Sequence, residues 1–236
     1  MPLGEQLGRG GTSDVYAWGP GLAIKVFKRG LEDLARMELE RATVVHDAGA
    51  PSPAVHDLVT IDDRLGIVFD RAEGPWALEW PDAATITARL HADIHDLTAP
   101  TELPRLLDTL ADLGIDGLPD GDRIFHGDFH PGNVLAHHDH WLVVDWSNAH
   151  RAPPVADVAC SVLAIGYRGL RNGPSAARAH QRRQRAADTY LERYATLRPD
   201  SLDGLIGWTT AIGTLLLERE PETAYADELR SRWIRP

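Results

Sequence analysis

The hydrophobic pattern of this 236-residue chain changes character once, near residues 71–75. Before that segment, short runs of alternating apolar and polar residues are separated by glycine, proline and aspartate, which is typical of strands joined by tight turns. One stretch breaks the alternation, because residues 31–48 place five apolar side chains on one helical face before Gly49 and Pro51. The pattern predicts one helix and five strands, the strands at residues 2–7, 14–18, 22–27, 54–61 and 65–70.

Helical periodicity dominates after residue 75, beginning with predicted helices at 83–97 and 102–113. Two short strands, 133–135 and 141–145, joined by His137–His140, interrupt it. Because proline is favoured in the first turn of a helix, later helices are expected to begin near Pro154, Pro174, Pro199 and Pro221. We therefore expect an α+β fold: a small sheet lobe, residues 1–72, and a larger, mainly helical lobe, residues 73–236, with a ligand cleft between them.

The cysteine count and the charge restrict the class of protein. A single cysteine, Cys160, excludes an internal disulfide framework and favours a reducing compartment. The first residues lack the pattern of a signal peptide, and no apolar run has the length of a membrane span, so a cytoplasmic location is expected. The net charge is −11, and residues 76–167 carry 14 acidic but only four basic side chains. This acidic segment argues against nucleic acid as a partner. It fits either a solvated surface or attraction for a metal ion or cationic substrate.

Three glycines, Gly8, Gly10 and Gly11, lie between the first two predicted strands. Glycine allows backbone amides to approach an anion closely, so such a loop can cradle phosphate oxygens. The same spacing also suits an ordinary hairpin turn, and the glycines alone do not decide between the two interpretations.

Lys25 lies on the next strand, in the apolar sequence AIKVFK. The chain has only two lysines against twenty-two arginines, which makes a lysine on an apolar strand more informative. A buried lysine needs a partner, whereas an edge position would leave it exposed. Glu38 is the favoured partner because it falls on the apolar face of the predicted helix, and Glu40 on the polar side is the alternative.

The stretch FHGDFHPGNVL, residues 125–135, concentrates groups that could perform chemistry. Asp128, Asn133 and the later Asp145 supply hard oxygen ligands, which magnesium prefers, and a base. A loop, a hairpin and a second loop could bring all three together.

The histidines in and after this stretch raise the alternative of a zinc hydrolase. Neither helical zinc-protease signature is present, and a zinc hydrolase would not need the glycine loop, the lysine or Asn133. Three of the histidines also lie in a polar hairpin turn, so zinc is the weaker interpretation. The candidates are His126, His130, His137, His138 and His140.

Taken in order and spacing, these motifs resemble the aminoglycoside phosphotransferase and choline kinase-like family, which shares the two-lobed architecture of protein kinases. The resemblance implies an antiparallel sheet in the N-terminal lobe, which would bind the nucleotide, and a C-terminal lobe for catalysis and substrate binding. It extends from about Leu3 to Ser161 and rests on G-x-G-x-x-S-x-V at 8–15, A-I-K at 23–25, the helix glutamate, H-G-D-x-H-P-x-N at 126–133 and V-V-D-W at 143–146.

The resemblance also implies a role for each matching residue. Lys25 would contact the α- and β-phosphates, Glu38 would orient it, and Asp128 would be the catalytic aspartate. Asn133 and Asp145 would hold Mg²⁺. Asp157 would brace the catalytic loop, and its place near a helix start also predicts a capping role. The residues implied to cover the nucleotide are Gly8, Gly10, Gly11, Ser13 and Val15.

The implied activity is transfer of the γ-phosphoryl group of ATP or GTP to a hydroxyl group of a small molecule. An aminoglycoside or another amine-bearing antibiotic is one such acceptor, and a cationic acceptor would suit the acidic middle segment. A nucleotide-binding, pseudokinase-like module that acts through partners without turnover is the alternative. The pattern does not predict the oligomeric state.

Overall fold

The computed structural model describes residues 2–167, 176–219 and 226–234. Its N-terminal part is a five-stranded antiparallel sheet in the order β1-β2-β3-β5-β4, with one helix, α1, inserted between β3 and β4. The elements are β1 (Gln6–Arg9), β2 (Ser13–Ala17), β3 (Leu22–Phe27), α1 (Glu32–Asp47), β4 (Val55–Ile61) and β5 (Arg64–Asp70).

Local sequence explains how this sheet is built. Asp62 and Asp63 both adopt positive φ angles, 47° and 60°, in the two-residue turn between β4 and β5. That conformation matches the twist of the flanking strands, and aspartate tolerates it better than most residues. On β3, Ile24 and Val26 pack in one apolar cluster, while Phe27 packs with Ala35 of α1 in another. Because side chains alternate along a strand, Lys25 shares the face of Phe27 and is directed towards α1.

The C-terminal part is mainly helical within the described residues and carries two small two-stranded sheets, β6–β9 and β7–β8. Its strands are β6 (Arg123–Phe125), β7 (Val134–His137), β8 (His140–Val143) and β9 (His150–Ala152). Its helices are α2 (Ala83–Ile94), α3 (Leu106–Ala111), α4 (Pro154–Tyr167), α5 (Ala176–Leu197), α6 (Leu205–Arg219) and α7 (Ala226–Trp233). None of the helices in the described ranges is long and apolar enough to cross a membrane.

Helix α1 belongs to the cores of both parts. Its residues Ala42 and Val45 lie in one buried cluster with Phe129 and Trp146, which come from the loops around the β7–β8 hairpin. The backbone amide of Val143 also donates to Pro51 O at 2.6 Å, just after α1. The junction of the two parts is therefore packed, and the loops that carry Asp128 and Asp145 lie beside it.

Several predicted boundaries were wrong, and each error has a local cause. The first strand runs over 6–9 rather than 2–7, with an irregular register between Gln6 and Gly8. Helix α2 ends at 94 rather than 97, because the amides of Asp96 and Leu97 bond only three residues back, to Asp93 O and Ile94 O. Helix α3 spans 106–111 rather than 102–113, because Pro104 O accepts the amide of Arg151.

Other differences concern elements that the sequence predicted in the wrong place or not at all. At Pro199 there is only a short 3₁₀ turn, and α6 begins at Leu205 after Gly204, whose φ of 83° interrupts the helix. Strands β6 and β9 were not predicted, because three residues are too few to show alternation. The helix starts predicted near Pro174 and Pro221 lie outside the described residues.

Candidate active site

A cavity of about 480 Å³ lies between the sheet and the helical part. Apolar side chains from both parts form its walls, and the connector at residues 70–74 forms its back edge. Lys25, Glu38, Asn133 and Asp145 lie together where the cavity meets the β7–β8 hairpin, a side that we call the polar mouth, and the connector adds Asp70, Arg71 and Glu73. This division into an apolar slot and a polar mouth suits a ligand with a flat apolar portion and a charged portion.

The glycine-rich turn between β1 and β2 forms one edge of the cavity. Gly8, Gly10, Ser13 and Val15 line it, whereas Gly11 does not. Gly11 lies at an open position, where an added Cβ would meet no atom within 4 Å. The amide of Gly10 donates to Ser13 O at 2.8 Å, so it is used within the turn.

The second lysine of the chain supports this turn from outside. Lys28 Nζ lies 3.2 Å from Gly10 O and 2.5 Å from Gly11 O. Both glycine carbonyls therefore accept from an ammonium group, although Lys28 is exposed and such contacts are individually weak.

Lys25 lies at the polar mouth, where its ammonium group contacts two carboxylates. Lys25 Nζ is 2.6 and 2.7 Å from the two oxygens of Glu38 and 3.0 Å from Asp145 Oδ1. The Glu38 side chain is 2% exposed, whereas Glu40 is an exposed residue. The sheet, α1 and the loop after β8 thus meet at one ammonium group.

The charges of this triad depend on one another. Burial opposes the charge on Lys25, but Glu38 and Asp145 together raise the pKa of Lys25 above its ordinary value. Burial raises the pKa of Glu38 to about 7, although Lys25 acts in the opposite direction. Burial also acts against ionised Asp145, but Lys25 brings the pKa of that carboxyl below its ordinary value. We therefore take Lys25 as protonated and Asp145 as ionised.

The loop between β6 and β7 holds Asp128 by several backbone contacts. Gly127 has a φ of 79°, and an added Cβ would lie 2.7 Å from the Phe125 ring and 2.8 Å from Asn148 Cβ, so this position requires glycine. The Asp128 amide donates to His126 Nδ1 at 3.2 Å, and its carbonyl accepts from Asn133 Nδ2 at 2.9 Å. Asp128 is only 8% exposed, and it does not line the cavity described above.

Two histidines of the loop have distinct positions. His126 is fully buried, and its Nε2 lies 3.0 Å from Val144 O, so it ties the loop to the residue that precedes Asp145. His130 Nδ1 accepts from the Gly132 amide at 3.0 Å, and its Nε2 lies 3.7 Å from Asp128 Oδ1. The remaining candidate histidines, 137, 138 and 140, lie at the far end of the β7–β8 hairpin.

The β7–β8 register brings Asn133 and Asp145 together. Val134 pairs with Val143, and the Val144 amide donates to Asn133 O at 3.0 Å, so the residues flanking the hairpin lie side by side. Asn133 uses its amide nitrogen on Asp128 O, which leaves its amide oxygen as a potential ligand. Asp145 Oδ1 accepts from Lys25 and from Ser147 Oγ, which leaves Oδ2. A carboxylate and an amide oxygen fit the ligand preference of Mg²⁺.

Asp157 contacts the loop between β6 and β7 instead of capping its own helix. It lies in the first turn of α4, but its carboxylate accepts the backbone amides of His126 at 2.5 Å and Gly127 at 2.9 Å. The capping role predicted from sequence position was therefore wrong, whereas the contact with the loop is present.

Of the 14 acidic residues in the acidic segment, residues 76–167, only Asp145 lines the cavity. The first seven are exposed and none lines it; Asp96 pairs with Arg198, and Asp108 lies 3.6 Å from Arg105. Those seven are Glu79, Asp82, Asp93, Asp96, Glu102, Asp108 and Asp112. Their position gives no support to attraction of a cation into this cavity.

The apolar walls of the cavity were not singled out from sequence. Ala23, Phe69, Leu135 and Val144 line it, and each lies on or next to a strand. In sequence such residues look like ordinary core positions, and only the meeting of the two lobes leaves a gap between them.

Comparisons with known proteins agree with this architecture. Solved structures of similar fold include an aminoglycoside-3′-phosphotransferase of type VIII, with 20% identity, a TM-score of 0.61 and coverage of 88% of this chain and 90% of that chain. A choline/ethanolamine kinase family protein from Mesorhizobium loti has 17% identity and a TM-score of 0.61, covering 98% of this chain and 86% of that one. A thermostable mutant of aminoglycoside phosphotransferase APH(4)-Ia, in a ternary complex with AMP-PNP and hygromycin B, has 16% identity and a TM-score of 0.64, covering 97% and 90%.

These similarities confirm the predicted two-lobed, protein-kinase-like α+β fold. No curated protein sequence matches the chain significantly. The model of the phosphotransferase enzyme family, APH, matches residues 69–199, which is more than half of the chain. This chain therefore belongs to the phosphotransferase enzyme family.

Proposed function

We propose that this protein transfers the γ-phosphoryl group of ATP or GTP to a hydroxyl group of a small molecule. The observation that carries the proposal is the meeting of Lys25, Glu38 and Asp145 at the mouth of the cavity, with Nζ-to-oxygen distances of 2.6 to 3.0 Å. Asp128 and Asn133 lie on the adjoining loop. Family membership supports phosphotransferase activity in general.

The nucleotide would occupy the cavity, with its base in the apolar slot and its phosphates under the glycine-rich turn. Gly8, Gly10, Gly11, Ser13 and Val15 would cover it from the sheet side. Lys25 now gives all three ammonium hydrogens to carboxylates. To contact the α- and β-phosphates it would release one of these bonds, and Glu38 would keep the ammonium group in place.

The connector would separate two lobes with different roles. Residues 1–72 would form the nucleotide-binding lobe, and residues 73–236 would form the catalytic and substrate-binding lobe. The connector follows the end of β5 at Asp70, and its residues line the cavity.

Magnesium would be held by Asn133 and Asp145, whose free oxygens suit it. When bound, Mg²⁺ neutralises charge on the phosphate oxygens of the nucleotide. Among the residues of this chain, Lys25 would add positive charge beside the phosphates, and the neighbouring Asp145 carboxylate would hold the ion.

Asp128 would act on the acceptor. In phosphoryl transfer the protein contributes mainly positioning and electrostatic stabilisation, so the carboxylate would orient the attacking hydroxyl and accept its proton late in the transfer. Its backbone is held on both sides by His126 and Asn133, which limits its movement.

The acceptor would be a small hydroxylated molecule, and an aminoglycoside or another amine-bearing antibiotic is the class we favour. Two solved relatives are aminoglycoside phosphotransferases, and one of them is described in complex with hygromycin B. Phosphorylation of such an antibiotic would give resistance to it. The reaction would take place in the cytoplasm, where the single cysteine would stay reduced. No observation favours the alternative of a nucleotide-binding module without turnover.

The proposal is tested by incubating the purified protein with γ-³²P-labelled ATP or GTP, Mg²⁺ and a panel of acceptors. The panel should contain aminoglycosides, choline-like amines, amino sugars and neutral sugars, with products separated by chromatography. We expect label on one acceptor class, dependent on Mg²⁺. Nucleotide binding without label on any acceptor, including water, would favour the module without turnover.

A further inference from the structure

Behind the catalytic loop lies a cluster of five polar side chains that are almost fully buried. We call it the buried histidine cluster, and its members are at most 1% exposed: His91 of α2, His95 at the end of that helix, Asp157 of α4, and Tyr190 and Tyr194 of α5. The function proposed above assigns no role to the histidines or the tyrosines. A cluster of this size needs an explanation, because burying polar groups without partners costs free energy.

The cluster is built from two matching pairs. His91 Nδ1 lies 2.6 Å from the Tyr190 hydroxyl, and His95 Nδ1 lies 2.6 Å from the Tyr194 hydroxyl. His91 and His95 are four residues apart, and so are Tyr190 and Tyr194. The two histidines therefore lie on one side of their segment, facing the two tyrosines on one side of α5. The other ring nitrogens face one carboxylate oxygen: Asp157 Oδ2 is 3.0 Å from His91 Nε2 and 3.6 Å from His95 Nε2.

Burial and charge determine where the protons lie. Burial lowers the pKa of His91, and it lowers the pKa of His95 to about 4, so both rings are neutral at pH 7. Burial acts to raise the pKa of Asp157, but His91 and His95 hold it well below its ordinary value. A neutral imidazole has one N–H and one acceptor nitrogen. Since Nε2 faces a carboxylate, Nε2 carries the hydrogen and Nδ1 accepts from tyrosine.

The carboxylate that these ring nitrogens face also holds the catalytic loop. Asp157 Oδ2 accepts the His126 amide at 2.5 Å, and Oδ1 accepts the Gly127 amide at 2.9 Å. Asp128 is the next residue. A rotation of the Asp157 carboxylate would therefore move the backbone that presents Asp128, and the His91 ring, 3.0 Å away, would oppose that rotation from the other side.

A metal ion is the other occupant that these side chains suggest. Among the described residues, His91, His95 and Asp157 are the one group close enough together to ligate a metal ion. The group has three members, one fewer than a structural zinc site, and both carboxylate oxygens already accept loop amides. Hydrogen bonds account for both Nδ1 atoms and for both carboxylate oxygens without an ion, and the two Nε2 atoms lie 3.0 and 3.6 Å from Asp157 Oδ2.

We infer that His91 is a positioning residue: Tyr190 fixes its ring, and its Nε2 lies 3.0 Å from the Asp157 carboxylate, which holds the amides that place Asp128. His95, 3.6 Å from the same oxygen, packs behind this contact. This inference concerns the same reaction as the proposed function and rests on it for its catalytic consequence. Its structural consequence, the anchoring of the loop amides, can be measured without any activity.

The first measurement is amide hydrogen exchange in the peptide that covers residues 124–130. His91→Leu removes the donor, whereas His91→Gln keeps an N–H at the same reach. We expect exchange of this peptide to become about tenfold faster in His91→Leu and to stay near wild type in His91→Gln. The matched control is His180→Leu, which removes a buried histidine bonded to Glu228 at 2.6 Å elsewhere in the same lobe and should leave this peptide unchanged.

The second measurement is steady-state kinetics on the same variants. A displaced Asp128 lowers turnover more than nucleotide binding, so His91→Leu should lose about tenfold or more in kcat with little change in the KM for nucleotide. His91→Gln should restore most of the loss. If His91 had only a structural role, His91→Leu would lower the free energy of unfolding without lowering kcat more than it changes the KM, and His91→Gln would not restore kcat.

The outcomes separate the two proposals. Faster loop exchange in His91→Leu, in a protein that transfers no phosphate, would uphold the positioning inference and reject the proposed function. Unchanged exchange would overturn the inference whatever the activity. One equivalent of zinc in purified wild type, absent in His91→Leu, would also overturn it. If His91→Leu does not fold, Tyr190→Phe replaces it, and unchanged exchange in that variant would overturn the inference.

Discussion

The protonation of His95 makes a quantitative prediction about stability. The group is buried as a neutral imidazole, with a pKa of about 4 in place of the ordinary 6.5. The unfolded chain therefore binds a proton at His95 between pH 6.5 and pH 4 that the folded chain does not bind. By linkage, this group makes the folded state less stable as pH falls through that window, and its effect levels off below pH 4.

The size of the effect follows from the two pKa values. Each unit of pKa difference corresponds to about 1.36 kcal/mol, so between pH 7 and pH 5 the contribution of His95 changes by about 2 kcal/mol. Other groups titrate over the same range, and the useful quantity is therefore the difference between wild type and His95→Gln. Glutamine keeps a polar side chain of similar length but does not titrate.

The assay is urea unfolding of both proteins at pH 7 and pH 5. We expect the free energy of unfolding of wild type to fall by about 2 kcal/mol more than that of His95→Gln. Tyr194→Phe is the matched variant, because it keeps the buried imidazole while removing its partner. It should lose about 1 kcal/mol at pH 7 and retain the pH dependence of wild type. Equal pH dependence in wild type and His95→Gln would refute the assignment of a neutral imidazole.

Three further substitutions test other parts of the site. Lys25→Ala should raise the KM for ATP about tenfold or more, because charge-assisted hydrogen bonds are worth about 1.5–3 kcal/mol, and an unaltered KM would leave Lys25 a structural residue. Asp145→Ala should weaken binding of the magnesium nucleotide in calorimetry, and normal binding would contradict its role as a ligand. Gly127→Ala should lower the melting temperature by several degrees, because the left-handed backbone conformation of residue 127 costs alanine about 1–2 kcal/mol and the added Cβ meets Phe125 and Asn148. An unchanged melting temperature would count against the described conformation of this loop.

The parts of the fold that sequence predicted correctly are those with a strong local period. Alternation along AIKVFK and helical spacing in α1 together favoured a Lys25–Glu38 pair, and the two side chains are in contact. Strand β3 has the predicted bounds. Strands β6 and β9 are too short to show an alternating hydrophobic pattern. They form because the chain on either side brings them together, and three residues of sequence could not reveal this.

The buried histidine cluster shows why part of the site could not be predicted. His91 and His95 lie beside the apolar stripe of α2, where a polar residue usually marks the solvent side of a helix. Their partners on α5 are 99 residues away along the chain. No local pattern links such distant positions, and only the packing of α2 against α4 and α5 turns apparently exposed histidines into buried ones.

The most direct test of the account compares wild type and Asp128→Asn in the labelled transfer reaction, with nucleotide affinity measured in parallel. A positioned base contributes about 10²–10⁴-fold, so kcat should fall by roughly that factor while nucleotide affinity changes little. Unchanged turnover in Asp128→Asn would contradict the claim that this loop carries the chemistry.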